Sequence, residues 1–563
     1  RLMDWGVVFT SMPWILGLAG ALSGLSWAIW CRNRGTRRLL DILGTPRFQV
    51  WLRASLALIC GGLALSSQAL AERVLWLMLT LCWAVQVFLA LRSVSSTSWM
   101  GPEGEPVQTH PVEDPSWGSV RGAARWLVRV EPVLVLILAP FLLFPNWLTP
   151  WLVLLLALPW FARKFAQGYF TAPTPMDGPV LVLACMLPIS LYVSVDLERS
   201  IPKLYGIVLG LGLCYVIVNH VRRPSHAWYV GLGIVALGVV VSVLALLGAE
   251  WTAMDMLSLP PSFSRMARRL TDMGGSLSRG FNPNEIGAAL TLLLPFAASL
   301  LILGGKSANG VADDSLPRGP NVHAPSRVQN RVQLSLALVG TVVMMATLAL
   351  TGSRATFLGI GVALLLLLSF RWGRLRLAVM VTAIAALALI LWWGPDQILD
   401  SILVVGELSS IAGRMEIWER ALYMVRDFPY TGVGLNMYSL TANNLYPLLT
   451  IPPEKALRLT HAHNVFLQVA VDMGIPGLVA YLGILISFGV AWRRSHSHLR
   501  HGPMRAISAG LLSSMVAYHI YGLFDCLTLG AKPGAVLWAM WGLAAALVNL
   551  GLPSVASQDE SRS

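Results

Sequence analysis

Two histidines one residue apart, His461 and His463, lie where a polar loop meets an apolar run. An imidazole in such a position reaches water but sits in a medium of reduced dielectric, which favours its neutral, basic form. A neutral imidazole can take a proton from a hydroxyl group, so the pair contains a candidate general base. The pattern also fits a structural histidine or a metal ligand, although no third ligand is evident. Spacing alone does not choose between the two histidines.

Arginine is the second residue type that points to chemistry, because its planar guanidinium donates paired hydrogen bonds to phosphate and stays charged. Of the 41 Lys and Arg, 26 fall in alternate loops, which this excess of positive charge assigns to the cytoplasm. Ten of the remaining 15 cluster in three stretches on the predicted outer side. An anionic ligand is the simplest reason for them, and pairing with nearby carboxylates or lipid headgroups is the alternative. The ten are Arg265, Arg268, Arg269, Arg279, Arg354, Arg414, Arg420, Arg426, Lys455 and Arg458.

Membrane helices must position these side chains. Of the 563 residues, 56% are hydrophobic and 12% are charged, whereas a soluble domain carries about 25% charged residues. The mean hydropathy is +0.65, and apolar runs recur almost from end to end. We therefore predict an all-α polytopic membrane protein and exclude a soluble enzyme. The net charge of +13 is explained by cytoplasmic loops and gives no support for nucleic-acid binding.

Fifteen apolar runs are candidate spans, since a membrane-crossing helix needs about 20 apolar residues. The pairs at 54–91 and 132–162 are each split only by a short break, so we predict about 12 to 15 spans. The runs are 6–30, 54–70, 74–91, 132–146, 148–162, 178–195, 202–219, 227–248, 285–304, 333–350, 355–370, 376–394, 473–492, 506–528 and 533–551.

The longest segment between spans is predicted to lie outside the membrane, at 395–462. Within it, residues 413–427 place apolar side chains at helical spacing, which predicts an amphipathic helix along the interface or over a cavity. Pro429 and two glycines then end this helix. The chain accordingly divides into N-terminal spans (1–270), a second set of spans (271–394), the outer loop (395–462), C-terminal spans (463–551) and a polar tail (552–563).

The residues around His463 resemble the histidine motif of a known family. His463-Asn464 is followed after nine residues by Gly474 and after two more by Gly477. This is similar to the O-antigen ligase (Wzy_C) family, which includes lipopolysaccharide O-antigen ligases, O-antigen polymerases and bacterial protein O-oligosaccharyltransferases. Further motifs agree in kind and order, so that the likeness covers about 275–490. They are Phe281-Asn282-Pro283-Asn284-Glu285, Thr351-Gly352-Ser353-Arg354-Ala355, and Gly413-Arg414 with Trp418 leading to Asp427-Phe428-Pro429 and Gly432-Val433-Gly434.

The resemblance implies an α-helical membrane glycosyltransferase of the C type. It would take its glycan from an undecaprenyl-pyrophosphate donor at the outer face, with inversion and without metal or cofactor. Carried over by position, Arg354 and Arg414 bind the donor pyrophosphate and His463 is the general base, which decides between the two histidines. The supporting residues are expected to be Asn464, Trp418, Asn282, Asn284 and His461.

The same resemblance implies a multi-pass protein of the bacterial cytoplasmic (inner) membrane whose active site faces outward. The expected partners are the lipid-linked glycan donor, a glycan or lipid acceptor, and membrane lipids, with no nucleic acid. Ligase, polymerase and protein O-oligosaccharyltransferase share the donor and differ in the acceptor, so all three stay open.

Two alternatives come from other functional classes. A membrane transporter is one, because the chain has many spans with a few polar groups inside them, and some relatives have been labelled bicarbonate transporters. A non-enzymatic scaffold is the other. His519 and Asp525 fall in one predicted span, six residues apart, so that they share no helical face. We interpret both as packing or hydrogen-bonded core groups.

Overall fold

A computed structural model describes the chain in eight stretches, 5–34, 39–93, 118–249, 281–304, 327–375, 411–447, 461–499 and 502–550. Over these stretches the chain is almost entirely α-helical. Ala249 and Phe281 form an isolated backbone bridge, and no strand occurs among the described residues. The prediction of an all-α fold is confirmed.

The N-terminal helices pack as neighbours in the chain. Helix α3 lies between α1 and α4, and α5 pairs with α6. The two pairs of runs with uncertain breaks, 54–91 and 132–162, are therefore separate helices. The bounds are α1 (Trp5–Arg34), α2 (Leu39–Leu43), α3 (Pro46–Ser66), α4 (Leu70–Ser93), α5 (Gly118–Leu143) and α6 (Thr149–Gln167).

The later helices surround a central one, α10. Every residue of α10 from Ile286 to Leu300 is buried, as expected for a helix that is apolar on all sides. It packs against α9, α11, α12 and α16. The bounds are α7 (Asp177–Tyr192), α8 (Leu197–His220), α9 (Pro224–Gly248), α10 (Pro283–Gly304), α11 (Arg327–Thr351), α12 (Arg354–Arg371), α13 (Ile411–Asp427), α14 (Tyr438–Leu445), α15 (Val465–His498), α16 (Pro503–Tyr521) and α17 (Gly534–Leu550).

Within the described stretches, ten helices are long and apolar enough to cross a membrane, namely α1, α3, α4, α5, α8, α9, α10, α11, α12 and α15. Helices α7 and α17 are apolar but shorter. The prediction of a multi-span membrane protein is confirmed. The predicted span at 376–394 lies outside the described residues.

The helix bundle has two distinct ends. At one end, the start of α15 meets the end of α16, where the N–H of Val465 donates to the Gly522 carbonyl at 2.7 Å. At the other end, the Arg371 guanidinium at the end of α12 donates a hydrogen bond to the Ile302 carbonyl near the end of α10, at 2.7 Å. We call the first of these the site end. It contains the first residues of α10, α12 and α15 and the last residues of α16.

Two predicted helix bounds are wrong. Helix α15 begins at Val465 rather than at 473, because Asn464 caps it and the Gly-Ile-Pro-Gly run is taken into the helix as a kink. Helix α16 ends at Tyr521 rather than at 528. Asp525 therefore lies in a loop at the site end and not in a span. The predicted amphipathic helix is present as α13, with Met415, Trp418, Ala421 and Met424 buried.

The kink in α15 docks the segment that follows α13 against the helix bundle. Gly474 has φ 68°, outside helical values. Where the helical ladder is interrupted, the N–H of Ile475 donates to the Pro429 carbonyl at 2.7 Å, and the N–H of Val433 donates to the Val471 carbonyl at 2.8 Å. The kink thus anchors the chain that follows α13.

Replacing Gly474 by alanine is expected to destabilise this junction by about 3 kcal/mol or more. A Cβ there would lie 2.7 Å from the Pro429 carbonyl oxygen, and the left-handed backbone disfavours any side chain. Thermal unfolding of the purified protein in nanodiscs measures the effect. The matched control is Gly489→Ala in the same helix, where a Cβ meets no atom within 4 Å. Equal melting temperatures for Gly474→Ala and wild type would contradict the expected clash.

Candidate functional site

The turn from His461 to Asn464 leads directly into α15. Asn464 is the N-cap residue, whose Oδ1 accepts hydrogen bonds from the N–H groups of Phe466 and Leu467 at 3.0 and 3.1 Å. Its Nδ2 donates to the Leu523 carbonyl at 3.1 Å, in the loop after α16. His463 itself has φ 48°, in the left-handed region that non-glycine residues rarely adopt. Asn464 therefore holds a sharp turn at the site end.

Asp525 meets the imidazole of His463. One of its oxygens, Oδ1, lies 2.9 Å from Nδ1 of His463 and also accepts a hydrogen bond from the N–H of Cys526 at 2.8 Å. The Asp525 side chain is only 6% exposed. The placement of Asp525 inside a span is wrong, because α16 ends four residues earlier and the loop returns the carboxylate to the histidine turn, but Asp525 is a buried, hydrogen-bonded group as interpreted.

The protonation pattern follows from this geometry. Burial raises the pKa of Asp525, but the hydrogen bond and charge of His463, with that of His461, outweigh burial and bring the pKa to about 2. The carboxylate is thus ionised near neutral pH and can only accept a hydrogen bond. The proton between the two groups therefore sits on Nδ1 of His463, and in the neutral form of this imidazole Nε2 carries the lone pair.

His461 lies beside His463 and has a strongly lowered pKa. Their ring centroids are 4.4 Å apart. Burial, helped by the charges of His463, Lys203 and Arg414, lowers the pKa of His461 to about 3, against the opposing effect of Asp525. His461 is therefore neutral. Its Nδ1 accepts the N–H of His463 at 3.3 Å, so its own proton lies on Nε2, 3.9 Å from Asp525.

Helix α13 brings Trp418 and Arg414 to the same turn. The buried indole of Trp418 donates to the His463 carbonyl at 3.3 Å. Arg414 lies one helical turn earlier and is half-buried, and its charge contributes to the low pKa of His461. The structure therefore brings Arg414, Trp418, His461 and His463 together near the start of α15.

Arg354 begins α12 and is exposed at the site end. Helix α12 runs antiparallel to α16, and its Gly359 approaches the Ala517 carbonyl and the Tyr521 N–H so closely that a side chain would not fit. Arg354 is five residues before Gly359, or about 7 Å further toward the site end. Arg354 therefore lies beyond the end of α16, at the same end of the bundle as the loop that contains Asp525.

The two predicted asparagines lie at the start of α10. The Oδ1 of Asn282 accepts the N–H of Asn284 at 2.9 Å and so organises the first turn of that helix. The Tyr521 hydroxyl donates to the Asn284 carbonyl at 3.4 Å. Both asparagine side chains are exposed at the site end. They reach the histidine turn only indirectly, through the end of α16.

The arginines differ in whether they have a carboxylate partner. Arg420 lies 3.6 Å from Glu416 in the preceding turn of α13, so pairing explains its presence. Among the described residues, neither Arg354 nor Arg414 has a carboxylate within ion-pair distance. An anionic ligand therefore remains the better reason for these two.

Sequence reasoning missed three polar residues close to the histidine turn. Lys203 of α8 donates to the Thr528 hydroxyl at 3.2 Å. Gln468 and Asp472 lie on the buried side of α15 and are hydrogen-bonded to each other. The available signal for Lys203 is a basic residue near the predicted outer end of a span. For Gln468 and Asp472 it is two polar residues four apart, on one face of an apolar helix.

A third candidate metal ligand exists, contrary to the sequence interpretation. The ligand atoms of His461, His463 and Asp525 lie within 4.8 Å of one another. A divalent ion bound through Nδ1 of His463 would break the hydrogen bond to Asp525, and a divalent ion at any of these ligand atoms would lie close to the positive charges of Lys203 and Arg414. The three residues fit a hydrogen-bonded base better than a cation site.

Comparison with known proteins gives one family. The family model described as O-antigen ligase matches residues 339–482. The matched region runs from within α11 to within α15 and contains Arg354, Arg414 and His463 but not Asp525. No curated protein matches the chain significantly.

Proposed function

The chain carries an O-antigen ligase (Wzy_C) domain at residues 339–482, and from this premise we propose that it is a glycosyltransferase with an undecaprenyl-pyrophosphate-linked glycan as donor. The glycan passes to an acceptor hydroxyl at the outer face of the bacterial cytoplasmic membrane. The observation that carries the proposal is the 2.9 Å contact between Nδ1 of His463 and Asp525, which leaves Nε2 of His463 available to an acceptor hydroxyl at the site end.

The base step uses Nε2 of His463. An acceptor hydroxyl is a weak nucleophile until a positioned base removes its proton. The proton moves to Nε2, the hydroxyl oxygen bonds to the anomeric carbon, and the bond from that carbon to the diphosphate breaks. Asp525 stabilises the imidazolium that results, because its carboxylate already accepts the Nδ1 proton. A single displacement of this kind inverts the anomeric configuration.

The leaving group is undecaprenyl diphosphate, whose negative charge grows as the bond breaks. Arg354 and Arg414 are assigned to hold this diphosphate, because each guanidinium donates paired hydrogen bonds and neither has a carboxylate partner among the described residues. In a partly dehydrated site such fixed positive groups stabilise developing charge without a metal ion. Lys203 adds a further positive charge close to the histidines.

The outward orientation rests on the distribution of charge between the two ends of the bundle. The end opposite the site carries many arginines and lysines at helix ends and in short turns, as cytoplasmic ends do. Examples are Arg222, Arg371, Arg374 and Arg493. The site end is assigned to the outer face accordingly.

Purified protein in nanodiscs, supplied with a lipid-diphosphate-linked oligosaccharide and a candidate acceptor, tests the proposal. Transfer of the glycan with release of undecaprenyl diphosphate is expected, and the glycosidic bond formed should have the opposite anomeric configuration to the donor. The acceptor panel includes lipid A-core, a second lipid-linked repeat unit and a Ser/Thr peptide, which separates ligase, polymerase and protein O-oligosaccharyltransferase. Uptake of labelled bicarbonate into proteoliposomes without any glycan transfer would instead favour a transporter.

Removal of divalent ions is expected to leave the transfer rate essentially unchanged. The physical reason is that two guanidinium groups supply the charge stabilisation that a metal ion would otherwise give. The assay compares protein dialysed against EDTA with protein reloaded with Mg²⁺ or Zn²⁺. A rate lost on dialysis and restored by one of these ions would contradict the hydrogen-bonded base and favour a metal at His461, His463 and Asp525.

A further inference from the structure

A buried hydrogen-bond network lies directly beneath the histidine turn. The N–H of Ala462, between the two histidines, donates to Oε1 of Gln468 at 2.7 Å. Nε2 of Gln468 in turn donates to Oδ1 of Asp472 at 2.8 Å. Ala462, Gln468 and Asp472 are 0%, 1% and 6% exposed. The amide therefore links the middle of the turn to a carboxylate one helical turn further into α15.

Asp472 is held from a second side by the segment after α13. The N–H of Asn436 donates to the same Oδ1 of Asp472 at 3.2 Å. Asn436 is in the left-handed conformation, with φ 61°, and its Nδ2 donates to the Arg199 carbonyl at 3.1 Å. Asp472 also lies two residues before the kink at Gly474. One carboxylate oxygen thus links α15 to the segment after α13. Through Asn436 it is also linked to the start of α8.

The network extends to the loop that carries Asp525. Lys203, Gln468, Asp472, Cys526 and Thr528 line a cavity with room for about one water molecule. Lys203 donates to the hydroxyl of Thr528, three residues after Asp525. The same buried group of residues is therefore bonded to the chain beside each partner of the His463–Asp525 pair. Gln468 binds Ala462, next to His463, and Lys203 binds Thr528, three residues after Asp525.

We propose that Gln468 and Asp472 are positioning residues for His463: they fix the Ala462 N–H and so hold the strained turn that aims Nε2 at the acceptor hydroxyl. The proposal rests on the assignment of His463 as the base. His463 is one residue from Ala462 and has a left-handed backbone, which persists only when its surroundings determine it. If Oε1 of Gln468 is removed, the buried Ala462 N–H has no hydrogen-bond acceptor and the turn relaxes.

Gln468→Met tests this, because methionine keeps the length and burial of the side chain and loses both hydrogen bonds. We expect kcat for glycan transfer to fall about 10-fold to 100-fold, since small misplacements of a catalytic group have effects of that size. The KM for the lipid-linked donor should stay close to wild type, because Arg354 and Arg414 are not disturbed. Asp472→Asn retains an acceptor oxygen and should keep most of the rate, whereas Asp472→Leu should behave like Gln468→Met.

The matched control is Ser190→Ala. Ser190 is fully buried and donates to the backbone carbonyl of Asp472 at 2.6 Å, so its loss disturbs the same segment without touching the side-chain network. It should keep wild-type kcat. This separates the positioning of His463 from a general loss of packing around the kink.

A second readout does not depend on activity. In protein labelled with ¹⁵N-histidine, wild-type His463 is expected to show a single tautomer with the proton on Nδ1, and Gln468→Met a mixture of both. A fall in kcat at unchanged KM, together with the mixed tautomer, supports the proposal. Wild-type kcat or an unchanged single tautomer in Gln468→Met overturns it. If wild-type protein transfers no glycan, the proposed function fails, and the tautomer comparison still decides the positioning role.

Discussion

His463→Ala is expected to lower kcat for glycan transfer by about 10²–10⁴-fold or more, the size of effect that general base catalysis contributes. The substitution removes the imidazole that is proposed as the base and leaves the Asp525 carboxylate without its contact to Nδ1. Binding of the lipid-linked donor should change little, because the arginines assigned to the diphosphate are untouched. Initial rates at saturating donor, together with donor binding, measure both effects.

Three further variants define the interpretation of this result. His463→Gln should not restore the rate, because an amide is not a base at neutral pH. Asp525→Asn should also be slow, since an amide facing Nδ1 can donate as well as accept and no longer enforces the productive tautomer. His496→Gln is the control: His496 lies on the same helix at the opposite end of the bundle, stacked on Trp492. Near-normal transfer by His463→Ala would show that the base is another group.

Arg414→Ala and Arg354→Ala are each expected to reduce kcat/KM by about 10²–10³-fold, the usual cost of removing one donor from a developing anion. Arg414→Lys and Arg354→Lys should remain poor, with losses of about 10-fold or more, because an ammonium keeps the charge and loses the planar fork that matches a diphosphate. Steady-state kinetics against the lipid-linked donor measure these losses.

The matched control for Arg414 is Arg426→Lys. Arg426 lies in the last turn of the same helix, α13, and is exposed, so that its substitution tests the effect of an arginine change on α13 without touching the site. It should retain the wild-type rate. Wild-type kcat/KM in both Arg354→Lys and Arg414→Lys would remove the paired hydrogen bonds to diphosphate from the mechanism.

The sequence predicts the parts of the site that are close together in the chain. The amphipathic spacing of 413–427 locates α13, and the change from polar to apolar residues at His463 marks the approach to the next span, although the predicted start at 473 is eight residues too late. Both signals are local, because helical periodicity and capping depend on residues three or four positions apart. They predict that Trp418 and the two histidines lie in one polar segment between two spans.

Asp525 shows where local signals end. It is 62 residues from His463, and hydropathy along the run 506–528 does not show that the helix stops at Tyr521, although Gly522 directly follows as the C-cap residue. The Gly522 carbonyl accepts the N–H of Val465, and the chain then turns back over the site. Pairing across the bundle depends on packing between helices, which hydropathy along one helix does not encode.

The Gln468–Asp472 network was missed for a related reason. Two polar residues in an apolar helix predict a buried polar contact or a functional group, but the sequence does not say which backbone amide they satisfy. That partner is Ala462, six residues before Gln468, and it is reached only because the left-handed turn at His463 brings the chain over the first turn of α15.

Guanidinium groups at the site end are proposed to bind a lipid diphosphate next to the His463–Asp525 pair. A cryo-electron microscopy structure with a non-hydrolysable undecaprenyl-diphosphate glycan analogue tests it most directly. The account predicts diphosphate density in contact with Arg354 and Arg414, with the anomeric carbon facing Nε2 of His463. Diphosphate density at the opposite end of the bundle, or at the site end but away from both arginines, would contradict it.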